Sequence, residues 1–162
     1  MTAKKILIAR PNVLIVEEMT RAIRDCGLEP VRISHIDEIN NIKTAEIAGA
    51  VVSTAVNSAV AASFESVITA LRTQHPGIPL LLATLIRADK ATRLIDQQLK
   101  RQHLQYQLHI LSECPEGASF DATREMVILQ KEDLTDDRKR VSTLQVMRSL
   151  FGVSEKKTRA SA

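Results

Sequence analysis

Aromatic residues are nearly absent from this sequence. There is no tryptophan, and Tyr106, Phe64, Phe120 and Phe151 are the whole set, 2% of 162 residues. A nucleic-acid module built on base stacking needs several aromatic faces, so this class is disfavoured. Cysteine is scarce too. Cys26 and Cys114 stand in neither a CxxC nor a zinc-like spacing, and both read as reduced, small hydrophobic residues. The histidines, His35, His75, His103 and His109, are scattered. No HxxxH pattern joins them, so neither a metal site nor a cofactor is expected. No apolar run approaches the ~18 residues a membrane span requires. The first apolar run is short and closed by Arg10, which does not fit a signal peptide. The expectation is a cytoplasmic protein with no membrane insertion. Charge of one sign is also modest. Lysine plus arginine less aspartate plus glutamate gives 22 − 19 = +3, which permits an acidic partner without demanding one.

What remains is an ordinary globular composition, 44% hydrophobic and 25% charged, at a length that suits one domain. Ile6-Leu7-Ile8-Ala9 is a continuous apolar run, the signature of a strand buried on both faces. From about Val13 to Cys26, Leu14, Ile15, Met19, Ala22, Ile23 and Cys26 recur at helical steps, and Gly27 follows as a helix stop. Leu28 to Ser34 reads as a second strand. Asp37 to about Ala45 reads as a short, weakly apolar helix. Residues 49–54 read as a third strand and Ser58 to Gln74 as a helix. Ile78 to Thr84 reads as a fourth strand and Ala88 to about His103 as a charged helix. Strands alternating with helices imply parallel pairing, because each return path needs a crossover.

The region after His103 offers two candidates for a fifth strand, Tyr106 to Leu111 and Met126 to Leu129. Thr135 is a plausible N-cap for a last helix, with Asp136 and Asp137 in its first turn. Val141, Leu144, Met147, Leu150 and Phe151 form its apolar face. The expectation is a doubly wound, flavodoxin-like α/β domain over residues 1–153. It would have a five-stranded parallel sheet of order 2-1-3-4-5 and room for an insertion around 104–125. Residues 154–162 are expected to be a disordered basic tail.

The run Ile6-Leu7-Ile8-Ala9-Arg10-Pro11-Asn12-Val13-Leu14-Ile15 resembles the first strand and turn of the receiver domain of bacterial two-component response regulators. Residues 49–54 are similar to the strand that ends at that family's phosphoacceptor aspartate. Residues 78–84 are similar to the strand that ends in threonine or serine. Residues 127–131 are similar to the last strand with its terminal lysine, and Leu134 to Leu150 to the closing helix. The resemblance implies a pocket at Arg10, Pro11, Thr54, Thr84 and Lys131.

The chemistry implied for that pocket is missing. Phosphoryl transfer to a receiver needs a carboxylate nucleophile and acidic ligands for magnesium. Arg10 and Pro11 stand where the acidic pair belongs, and Thr54, or Ser53 one residue earlier, where the acceptor belongs. No Asp or Glu lies between Ala48 and Phe64. Arg10 would repel magnesium, and a threonine hydroxyl without a base is a poor nucleophile. In one register Lys131 keeps the family lysine position, and in the other Cys114-Pro115 replaces it. The resemblance therefore implies a degenerate receiver, not an enzyme. It would bind a protein partner or a second copy through Val141, Leu144, Met147, Leu150 and Phe151. The alternative is a small-molecule or anion-binding domain with its ligand at the strand ends. No helix-turn-helix segment lies outside the α/β pattern, so direct nucleic-acid binding is not expected.

Overall fold

The computed structural model describes residues 4–10, 12–54, 63–115 and 117–153. In chain order the strands are β1 (Lys5–Arg10), β2 (Glu29–Arg32), β3 (Ile47–Ser53), β4 (Leu80–Thr84), β5 (Gln107–Ile110) and β6 (Glu125–Gln130). They form one parallel sheet of order β2-β1-β3-β4-β6-β5. The helices are α1 (Val16–Asp25), α2 (Phe64–Gln74), α3 (Ala88–Arg101), the short α4 (Glu132–Thr135) and α5 (Asp137–Leu150).

Side chains alternate across the pleat and give the sheet two buried faces. Ile6, Ile8, Val51, Leu81, Ala83, Val127 and Leu129 pack under α1 and α5. Leu7, Ala50, Val52, Leu80, Leu82, Met126 and Ile128 pack under α2 and α3. Both faces are apolar, which is why the strands read as continuous apolar runs. The predicted doubly wound α/β class is what the chain forms.

The sheet has six strands where five were expected. Both candidates for the fifth strand exist, as β5 and β6. β6 lies beside β4, and β5 is added outside it as an edge. The chain runs from β4 through α3 to this edge, then back through residues 111–124 to the inner position. Arg72 of α2 anchors that return path. Its guanidinium donates to the Ile78 carbonyl at 2.9 Å and the Ala122 carbonyl at 2.7 Å, and lies 5.0 Å from the centre of the Tyr106 ring.

Residues 37–45 do not form an α-helix. They form two 3₁₀ turns, Ile36–Asn41 and Thr44–Glu46. Ile36, Ile39 and Ile42 recur every third residue, the period of the tighter helix. Buried His75 ties this segment to α2. Its Nε2 lies 2.7 Å from the Ile39 carbonyl and its Nδ1 2.7 Å from the Thr44 hydroxyl. The carbonyl can only accept, so Nε2 donates to it, and the Thr44 hydroxyl is the partner of Nδ1.

Helix starts also differ from expectation. Asn12 turns the chain first, its Oδ1 accepting the Leu14 N–H at 2.9 Å. Helix α1 therefore begins at Val16, and Leu14 is exposed. Helix α2 begins at Phe64 with Ser63 as its N-cap, and the expected start at Ser58 lies outside the described residues. Asp136, not Thr135, caps α5: its carboxylate accepts the Arg138 and Lys139 N–H groups. Thr135 closes α4 instead.

The apolar face of α5 is a core face. Met147, Leu150 and Phe151 are buried against the sheet. They are not surface a partner could reach, which corrects the expectation for these three. Gly49 in β3 explains the placement of Phe151. A Cβ there would lie 2.5 Å from two carbons of the ring and 2.8 Å from the Pro79 carbonyl oxygen. Of the five candidate contacts, Val141 is exposed and Leu144 half-buried.

Candidate functional site at the strand ends

In open α/β sheets ligands meet the carboxyl ends of the strands. Here the described residues at that edge are Asn12, Ser53, Thr54, Thr84, Gln130 and Lys131. Thr54 and Thr84 follow or end neighbouring strands, and the Lys131 N–H donates to the Thr84 carbonyl at 3.3 Å. The structure thus brings Thr54, Thr84 and Lys131 together along β3, β4 and β6. Thr54 and Thr84 also line one groove of about 440 Å³ that runs along α3 past Leu94 to Arg101. The residue after the strand beside β4 is Lys131, whereas Cys114 lies beyond the edge strand β5. The Arg10 backbone pairs with Val52; its side chain, and Pro11, lie outside the described residues.

The hydroxyls are already engaged. The Thr54 N–H and hydroxyl both face the Ala83 carbonyl, at 2.9 and 3.4 Å. Thr84 is buried, and its Oγ1 accepts the Ile86 N–H at 3.2 Å. Lys131 makes no ion pair among the described residues. Gln130 bridges outward: its Oε1 accepts the Ala88 N–H at 2.9 Å and pins the start of α3 to the end of β6.

The magnesium ion that the receiver resemblance implies needs several hard, anionic oxygens from the strand ends. The donors described there are two carboxamides, three hydroxyls and an ammonium, with no carboxylate among them, which do not fit it. Among the described residues no group of three His, Cys, Asp or Glu side chains converges on a metal position.

Sequence reasoning missed Asp133. It reads as an ordinary acid in a helix start, yet it is 3% exposed and its carboxylate accepts the Gln130 N–H at 2.9 Å. Burial holds its carboxyl above the usual aspartate range, against the lowering effects of that hydrogen bond and of Lys139. The folded chain then binds this proton more tightly than the unfolded chain does. Its contribution to stability falls as pH rises from the ordinary aspartate value through the raised one. Asp133→Asn should remove that descent and leave a stability difference from wild type that grows with pH across this window. Urea unfolding over an acid pH series measures it, and a difference independent of pH would contradict the assignment. Cys26 is likewise unsuited to chemistry, its thiol pushed up to about 11 by burial.

No protein-family model and no curated protein matches the chain by sequence. Its structure is similar to that of a response regulator receiver protein from Sinorhizobium medicae. The two share 12% of residues over 93% of this chain and 94% of the other, with a TM-score of 0.50. A response regulator in red light signalling of R. palustris aligns over 59% of this chain and 75% of its own, at 9% identity and a TM-score of 0.41. A pilus assembly-related protein of Burkholderia pseudomallei aligns over 87% and 90%, at 17% identity and a TM-score of 0.44. The chain has the flavodoxin-like fold of a receiver, with one strand added at the edge. At these identities the likeness is one of fold. Among the described residues no helix is long and apolar enough to cross a membrane.

Proposed function

We propose that this chain is a degenerate receiver, a cytoplasmic protein-interaction module of bacterial signalling or transcriptional regulation that works without aspartyl phosphorylation and without catalysis. The observation that carries the reading is Thr54. It follows the central strand β3, with its hydroxyl turned to the Ala83 carbonyl and no acid between Ala48 and Phe64. In this reading residues 1–153 are the interaction domain and residues 154–162 a basic tail. Contact with a protein partner, or with a second copy, falls on exposed surface such as Val141 and the free edge of Leu144.

The test is partner capture from the native host, with oligomeric state measured alongside, each with and without acetyl phosphate and magnesium. The expected result is the same partners and the same oligomer in both conditions, with Val141→Glu weakening the contact. A partner set or oligomer that appears only with the phosphodonor overturns the proposal. A second reading, anion binding at Thr54, Thr84 and Lys131, is favoured by the Lys131 ammonium, which makes no ion pair among the described residues. Phosphate or sulfate raising the melting temperature, and losing that effect in Lys131→Ala, would select it.

A further inference from the structure

Behind the turn that carries Lys131 lies a separate cavity of about 230 Å³, between the 3₁₀ turn Leu111–Glu113 and α5. Its polar lining includes Ser112, Asp133, Lys139, Ser142 and Thr143. Asp133 is the unusual member. It is almost wholly buried, its described hydrogen bond is the Gln130 N–H on Oδ2, and no described ion pair includes it. A buried carboxylate without a cation costs several kcal/mol in general. Lys139 is exposed, unpaired among the described residues, and close enough for its charge to act on Asp133. The Ser112 and Ser142 hydroxyls make no hydrogen bond among the described residues, while the Thr143 hydroxyl donates to the Asp133 carbonyl at 2.9 Å.

An acid at the floor and a cation at the rim select against ligands of a single sign. An anion would meet Asp133, and a plain cation would leave Lys139 unanswered. At ~30 Å³ per liquid water the space holds about seven or eight water volumes, which limits the occupant to a small metabolite. We propose that this cavity binds a small zwitterion of the α-amino acid class, its ammonium on Asp133, its carboxylate on Lys139 and a short side chain toward the serine hydroxyls. The same Asp133 carboxylate holds the Gln130 N–H, so occupancy is felt at the turn of Lys131. The inference does not depend on the interaction reading above.

The experiment is a titration of the ¹⁵N-labelled full chain with glycine, L-alanine and L-serine, with acetate and methylammonium as single-charge probes. Saturable amide shifts are expected at Ser112, Gln130, Asp133 and residues 139–143, with affinity in the millimolar range and about tenfold weaker for either single-charge probe. Lys139→Ala should weaken amino-acid binding about tenfold at unchanged melting temperature, and Asp133→Asn should abolish it. Absence of saturation at ~50 mM of all three amino acids overturns the proposal. So does equal binding by methylammonium, or full affinity in the Lys139→Ala chain, whose surface position leaves the fold intact.

Discussion

Gly49→Ala is expected to destabilise the chain by about 3 kcal/mol, the upper end of what one added methyl does in a filled core. The methyl would enter the Phe151 ring at 2.5 Å and approach the Pro79 carbonyl oxygen at 2.8 Å. The ring lies under a helix end in the buried layer, and the oxygen is backbone, so neither can give way cheaply. Phe151→Ala alone should cost ~3–5 kcal/mol through the cavity it leaves. In the double variant the new methyl occupies part of that cavity, and the loss should be smaller than the sum of the two single losses. A double-mutant cycle from urea midpoints reads the coupling directly. Additive losses would mean that the ring does not sit on Gly49.

Arg72→Ala is the second large effect, with an expected loss of about 3 kcal/mol from two charge-assisted bonds and the carbonyls they leave unpaired. The guanidinium spans Ile78 at the approach to β4 and Ala122 in the return path, while stacking on Tyr106. Its geometry is a planar fork, so Arg72→Lys should recover only a small part of the loss. Amide exchange should quicken first around Tyr106 and residues 121–124, next to the groups Arg72 holds. Full recovery by lysine would assign Arg72 a charge role instead of a bridging one.

The alternation of strands and helices was legible because buried parallel strands leave apolar runs that turn residues interrupt. The face of α5 was legible too, as spacing, but spacing does not say which side meets the sheet. Gly49 was the missing clue, since a glycine inside an apolar strand marks close approach by another group. The sixth strand is not legible because residues 106–111 and 126–129 both suit one position by sequence, whereas an edge strand beside an inner one accommodates both. Asp133 escaped for a different reason. An acid at a helix start is ordinary in sequence, and only tertiary packing by Leu111 and α5 removes it from water. The strand-end residues Thr54, Thr84 and Lys131 were placed by register, and three consecutive inner strands bring them together.

A degenerate receiver cannot hold a phosphoryl group on an oxygen at its strand ends. Intact-mass measurement after incubation with acetyl phosphate and magnesium decides it, with a sample kept at neutral pH to preserve acyl phosphates. The predicted spectrum is that of the unmodified chain alone. A species heavier by one phosphoryl group, mapped to the strand-end residues as a base-labile acyl phosphate or as a base-stable ester of a hydroxyl such as Thr54, would contradict it.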